Sequence, residues 1–344
     1  MSLENPSIVL TGDGRVEVVE FPVPDLPDRH ARVRLSVGAV STGTETTMIS
    51  NLRANPRELE KPWHIGYTGA GYIEEVGPEV TGLAPGTPVA TYGGPYVWHS
   101  RHVCVSPNLI VPTTLPLEQA AFCGIGAVAV HGVRNAHIHL GERVGVMGLG
   151  VLGQITAQFA RAAGAWVIAS DPIETRRDIA AELGADVVVS PDEWEAAVQE
   201  FTNGTGLDAV LCVAGTPDSS VPAVQALQAV RFQGRVVLVG NVKTEWPREM
   251  MFSKEATVMV SRATGLGRYD PVYEADSVDI PITTARWTEG RNLETFVRFA
   301  EAGRVRVEPL ISARMSVYDA SAAYDRLMNQ PDQTLAIVLS FDND

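Results

Sequence analysis

Residues 143–153, RVGVMGLGVLG, constrain the fold of this chain more than any other stretch. RVGVM is a short apolar run bounded by glycine, which reads as a strand buried on both faces. Gly148-Leu149-Gly150-Val151-Leu152-Gly153 then gives G-x-G-x-x-G. Apolar residues at Leu152, Ile155, Phe159 and Ala163 continue it into a helix that stops at Gly164. A second strand, AWVIASD, ends on Asp171. Strand, glycine turn, helix and acidic strand end together form the dinucleotide-binding fingerprint. In it Gly148 permits the tight turn, Gly150 lets the backbone approach a pyrophosphate, and Gly153 lets helix and strand pack closely. The helix N-terminus, with Val151 and Leu152 in its first turn, faces the phosphates. Asp171 at the ribose 2′-hydroxyl favours NAD over NADP, while Arg176 and Arg177 are the nearby groups that would tolerate a 2′-phosphate.

From residue 115 onward strands and helices alternate. A helix through RRDIAAEL stops at Gly184, and ADVVVS follows. Ser190-Pro191-Asp192-Glu193 reads as a capping box that starts a helix through Val198. DAVLCVAG, a helix near 219–230, GRVVLVGN and ATVMVS complete the series. Repeated βα units imply a doubly wound parallel sheet. The first 115 residues differ: short β-branched runs cut by Pro and Gly every eight to twelve residues predict a β-rich domain. After about residue 265 the pattern is irregular, with a last helix near 317–328 and a closing strand, LAIVLS.

Net charge is −14 without a Lys/Arg-rich block, which argues against nucleic acid as a partner. No apolar run reaches the roughly 18 residues of a membrane span, and no signal peptide is expected from MSLENPSIVL. Cys104, Cys123 and Cys212 are far apart, which fits a reducing cytoplasm.

TGTE (42–45), IGYTGAGYIEEVG (65–77) and the glycine fingerprint resemble motifs of the medium-chain dehydrogenase/reductase superfamily. GLGRYDPVYE (265–274) and RWTEGRN (286–292) are similar to the dehydrogenase half of bacterial two-domain oxidoreductases, and the hydroxyethyl-bacteriochlorophyllide dehydrogenases are a more distant likeness. The resemblance implies an α/β chain with a GroES-like β-rich catalytic domain (1–122 and 265–344) and a Rossmann NAD-binding domain (123–264). Zinc-dependent members take ligands from three slots. Here the first slot holds Thr42, the second Tyr67, and the third falls on Cys123 or Gly124. The four-cysteine structural zinc lobe is missing, and His99 and His102, three apart in a strand or loop, do not share a face. The expectation is an enzyme with no zinc.

Without a metal, side chains must stabilise the alkoxide and move its proton. The resemblance puts Thr44 where a hydroxyl contacts the substrate oxygen, Tyr67 in place of a ligand histidine, and Glu45 in place of that histidine's supporting carboxylate. A Glu45–Tyr67 or Glu45–Thr44 pair is the expected acid/base unit. Thr42, His64, Tyr92, Arg268 and Tyr269 are candidate substrate contacts, with His99, Arg286 and Glu289 nearby possibilities. The function expected is NAD-linked oxidation or reduction of a sugar, cyclitol or polyol. The alternatives are an enoyl or quinone reductase and a non-catalytic NAD(H) sensor. The resemblance also implies that the last Rossmann strand, ATVMVS, pairs edge to edge across a two-fold, which makes a homodimer the expected state, with a tetramer as the other option.

Overall fold

The structure is a computed structural model that describes residues 5–342. The chain divides into two compact units. One contains the residues up to Ala127, Leu266–Ala302 and the chain from Val307, and the other contains Val128–Gly265 and Gly303–Arg306. The first crossing falls inside helix Cys123–Asn135, past the 122/123 boundary read from the sequence, because one Ala-rich helix runs through it. Residues 303–306 belong to the second unit, where the Gln158 amide donates to the Arg306 carbonyl (3.0 Å) and accepts from its N–H (2.7 Å).

The first unit is built mainly on antiparallel pairing, with Ile311–Ser316 and Ala336–Ser340 as a parallel pair. Its seven-stranded sheet runs, in spatial order, Ile311–Ser316, Ala336–Ser340, Ala31–Ala39, Thr68–Val76, Pro88–Tyr92 and Ile110–Pro112, and His102–Val105 also pairs with Ala31–Ala39. Strand Ala31–Ala39 shows why: Val33 and Leu35 point into the core, while Arg32 and Arg34 alternate outward to pair with Glu75 and Asp342. Strands Val16–Phe21, Asn5–Leu10 and Trp63–His64 form a small second sheet. Two longer helices here escape the sequence reading, Thr44–Ala54 and Glu289–Glu301, as does the single turn Pro271–Glu274. The first buries only Glu45, Ile49 and Leu52, a sparse stripe of which one member is charged.

The second unit is a six-stranded parallel sheet in the order Val187–Val189, Trp166–Ser170, Arg143–Met147, Leu207–Cys212, Val230–Leu238, Thr257–Val260. Numbered within the unit this is 3-2-1-4-5-6, the doubly wound order of dinucleotide-binding sheets. Period-two alternation divides the strand residues between two cores. Val144, Val146, Val167, Ala169, Ala209, Leu211 and Val237 fill one, and Met147, Ile168, Val210, Cys212, Val236 and Leu238 fill the other. Each fully buried Val or Leu contributes about 1.5–3 kcal/mol. The strand order reverses between Arg143–Met147 and Leu207–Cys212, which places the ligand crevice at their C-terminal ends.

Only half of the capping box read at Ser190–Glu193 forms: the Glu193 carboxylate reaches back to the Ser190 N–H, but the Ser190 hydroxyl caps no helix N–H. Helix Trp194–Thr202 starts after it with no side-chain cap. The Ser190 hydroxyl instead donates to the Glu193 carboxylate (2.7 Å), which also accepts the Ser190 N–H (3.0 Å), closing a turn ahead of the helix. The Ser oxygen engaged with Glu193 does not serve the helix N–H groups.

Candidate active site

In the second unit, Gly148 follows strand Arg143–Met147 with φ at +93°, and a Cβ there would lie 2.8 Å from the Ala214 nitrogen. Only glycine suits both the conformation and the space. A Cβ on Gly153 would sit 1.8 Å from the Gly148 carbonyl, so helix Val151–Ala162 packs against the turn only because that position is bare. Gly150, the residue before the helix, has no atom within 4 Å of where a Cβ would be, and no side chain caps the helix. Val151 is buried and Leu152 half-buried in that first turn, whose N–H groups have no intrahelical acceptor. An open glycine at a bare helix N-terminus fits a pyrophosphate.

Asp171 is buried at the end of the neighbouring strand. Its Oδ2 accepts from the Leu149 N–H (2.7 Å) and its Oδ1 from the Ile173 N–H (2.9 Å). The carboxylate therefore ties the glycine turn to the acidic loop, with lone pairs left for a ribose hydroxyl. Arg176 lies 3.9 Å from Oδ2, and Arg177 donates to the carbonyls of Asp171 and Pro172. Gln154, which the sequence gave no reason to select, donates to the carbonyls of Leu149 (3.1 Å) and Arg176 (2.7 Å) and braces the same loop.

In the first unit, Thr42 is half-buried in the loop after strand Ala31–Ala39, Thr44 opens helix Thr44–Ala54 with its side chain exposed, and Glu45 is buried one residue on. The expected pairing of Glu45 with Tyr67 or Thr44 is not what forms. Glu45 accepts the Ser41 N–H at Oε1 (2.9 Å), and at Oε2 it meets His99 Nε2 (3.1 Å) and the Tyr324 hydroxyl. The first-turn carboxylate folds back over its own loop, where a backbone donor and two buried side chains meet it. His99 is fully buried in a slot between two glycines: a Cβ on Gly38 would lie 2.5 Å from its Nδ1, and one on Gly66 2.5 Å from its Cγ.

Tyr67 donates instead to the Ser41 hydroxyl, 2.5 Å away. Its ring meets the Tyr92 ring edge-on, with centroids 5.7 Å apart. Desolvation of the hydroxyl pushes the phenol up to about 12; the Ser41 hydrogen bond works against that, the Glu45 charge with it, and Thr44 and Arg268 against it. Tyr67 is thus a neutral phenol at ordinary pH.

Arg268 is buried, ion-paired with buried Glu274, and stacked over Tyr269 (4.1 Å) and Tyr92 (5.3 Å). Tyr269 is exposed, with φ at +67°. Ser41, Thr44, Tyr67, Tyr92 and Arg268 thus form one constellation. His64 does not join it by any hydrogen bond. Its ring packs between Phe21 (4.6 Å) and Trp98 (5.7 Å), and burial, then the charge of Lys61, lowers its pKa. His102 is separate from His99 and meets Glu74 at 3.0 Å. Arg286 stacks on Trp287, and Glu289 is buried in the first turn of its helix.

The three zinc slots do not offer a zinc donor set. Thr42 and Tyr67 carry neutral hydroxyls. Cys123 is buried with its thiol pushed up to about 12 by desolvation, and it contacts the Thr91 carbonyl (3.3 Å) and the Thr68 hydroxyl (3.6 Å). Zinc sites take thiolates, imidazoles and carboxylates, and among the described residues no three His, Cys, Asp or Glu side chains come together as such a group.

A β-rich unit carrying a phenol–hydroxyl pair, with a Rossmann unit carrying the dinucleotide turn, defines a GroES-like plus Rossmann oxidoreductase architecture. The family model described as zinc-binding dehydrogenase matches residues 151–275, a span that contains none of the three ligand slots. The chain is 26% identical over 341 residues to a 2-dehydro-3-deoxy-L-galactonate 5-dehydrogenase of Pseudoalteromonas atlantica, covering 89% of this chain and 91% of that one. It is 26% identical over 377 residues to the D-guloside 3-dehydrogenase of Escherichia coli, covering 97% and 99%. Among solved structures, an Escherichia coli oxidoreductase/dehydrogenase of unknown specificity superposes with a TM-score of 0.84 at 17% identity, covering 99% of this chain and 100% of that one, a likeness of fold. Family model, relatives and fold alike liken the chain to the medium-chain dehydrogenase/reductase superfamily.

Proposed function

We propose that this protein is an NAD-dependent, zinc-independent dehydrogenase that interconverts a hydroxyl and a carbonyl on a sugar, cyclitol or other polyol-like substrate. The observation that carries the reading is the Tyr67–Ser41 hydrogen bond, which sits where the superfamily's metal slots fall and beside the buried Arg268 guanidinium. When bound, the nicotinamide supplies or accepts the hydride. The chain's own task is the proton and the charge on oxygen. In the reducing direction Tyr67, protonated at ordinary pH, gives its proton to the carbonyl-derived oxygen as the hydride reaches carbon. In the oxidising direction the alcohol O–H breaks and its proton passes to the Tyr67 phenolate oxygen. Thr44 and Arg268 supply further hydrogen-bond donors for a hydroxyl-rich substrate.

Support for the substrate class comes from the relatives, whose names specify positions on sugar-derived molecules. Asp171 supports NAD, since a second negative charge on the ribose would face its carboxylate. Three free cysteines suit the cytoplasm. Strand Thr257–Val260 ends the parallel sheet with Val260 70% exposed, an edge suited to pairing in a homodimer that light scattering would detect.

The test follows nicotinamide absorbance with NAD and NADP in turn against sugars, sugar acids and cyclitols, with and without a chelator. NAD-linked turnover that the chelator leaves unchanged is expected. Loss of turnover on chelation would overturn zinc independence, and silence with every substrate would overturn the substrate class.

A further inference from the structure

We infer that Ser41 is the positioning residue for proton transfer by Tyr67, and that buried Glu45, His99 and Tyr324 serve that transfer by fixing Ser41. The inference rests on Tyr67 as the proton donor proposed above.

Ser41 is buried between strand Ala31–Ala39 and helix Thr44–Ala54. Residues 41 and 45 close a ring of two hydrogen bonds: the Ser41 N–H donates to Glu45 Oε1 (2.9 Å), and the Glu45 N–H donates to the Ser41 carbonyl (3.2 Å). Glu45 cannot swing away, because His99 and Tyr324 hold its other oxygen and all three side chains are excluded from water. The backbone of Ser41 is therefore fixed at both its donor and its acceptor, and its hydroxyl is left facing the phenol at 2.5 Å. Glu45, read from the sequence as an acid/base group, acts two bonds removed from the chemistry.

A serine hydroxyl suits this place because it can reverse its role. While Tyr67 is protonated, Ser41 accepts its hydrogen bond. Once the phenol O–H breaks and its proton sits on the substrate oxygen, the Ser41 O–H turns to donate to the phenolate, and solvent later restores the proton. The other groups around the phenol are the Thr44 hydroxyl, the Tyr92 ring edge, the Tyr324 phenol, the Glu45 carboxylate and the Arg268 guanidinium. Thr44 is exposed and has no such clamp, so water competes with it at the phenol.

The experiment compares Ser41→Ala, Ser41→Thr, Tyr67→Phe and the Ser41→Ala/Tyr67→Phe double variant on the substrate found above. Ser41→Ala is expected to lower kcat about 10- to 100-fold while KM stays within about twofold. Ser41→Thr should restore most of the rate. In alcohol oxidation, the pH at which the rate rises should move upward in Ser41→Ala, because the phenolate has lost a donor. On the Tyr67→Phe background, Ser41→Ala should cost less than about twofold more, since both act through one proton. Normal turnover in Ser41→Ala with a slow Tyr67→Phe would overturn the inference and leave the proposed function standing. Fully additive losses would also overturn it. Normal turnover in Tyr67→Phe would instead overturn the proposed function. If Ser41→Ala does not fold, Ser41→Cys, which keeps the volume but accepts weakly, is judged by the same criteria.

Discussion

Glu45 and Tyr324 stand 279 residues apart in the chain and share a hydrogen bond in the core of the first unit. Tyr324→Phe keeps the ring and removes the donor, leaving a buried carboxylate with two partners. The expected cost is about 1–3 kcal/mol, seen as a lower urea midpoint with an unchanged slope. An unmoved midpoint would mean that the carboxylate draws little from Tyr324.

Tyr67→Phe should lower turnover about 10²- to 10⁴-fold, the range for loss of one acid/base group. Its affinity for NAD, read by nicotinamide fluorescence, should stay unchanged, because no cofactor contact is assigned to it. Equal loss of binding and turnover would point to a collapsed site instead.

Alkaline stability should fall in a defined window. Burial holds Tyr67 and Tyr273 up to about 12, and burial followed by the Glu45 charge drives Tyr324 well above its ordinary value. The unfolded chain releases these protons near pH 10 and the folded chain keeps them. Their stabilising effect is therefore complete below pH 10 and is lost as pH rises toward 12. Urea titrations at rising pH should show the midpoint drop there, and Tyr324→Phe should shrink the drop.

The fingerprint glycines should respond differently to alanine. Gly153→Ala forces a methyl group into the Gly148 carbonyl and should destabilise the fold by about 1–3 kcal/mol as well as cofactor binding. Gly150→Ala meets only open space in the free protein, so melting should be unchanged while NAD affinity falls. A stable Gly150→Ala that binds NAD normally would separate that position from the pyrophosphate.

Dialysis against a chelator should leave both melting temperature and turnover unaltered, and elemental analysis should find less than stoichiometric zinc. Cys123→Ser should retain activity, since the thiol is buried, protonated and bonded to the Thr91 carbonyl. Zinc at one equivalent, lost together with activity, would contradict this.

The Rossmann unit was legible because strands buried on both faces read as uninterrupted apolar runs and because its glycines are punctuation. The first unit gave up less. Helix Thr44–Ala54 carries few apolar residues and one of its core positions is Glu45, so no periodicity announces it. The family template was enough to put Thr44 and Tyr67 near one another, since both fall near its metal slots, but it gave no reason to select Ser41, the hydroxyl that meets the phenol. The template could not supply His99 or Tyr324. Side chains from a loop and a C-terminal helix reach Glu45 only through the folding of a seven-stranded sheet. Glu45 was paired with Tyr67 because a carboxylate conventionally stands behind that slot, whereas here the first-turn helix geometry turns it toward its own loop.

The imidazole of His99 occupies a slot cut by Gly38 on one strand and Gly66 on the turn before another. Neither glycine can gain a side chain while the ring is there, and the ring cannot shrink without opening a void beside a carboxylate. Positions 38, 66 and 99 should therefore drift together across descendants of this sequence, and a designer who wants a larger residue at any of them must change all three at once.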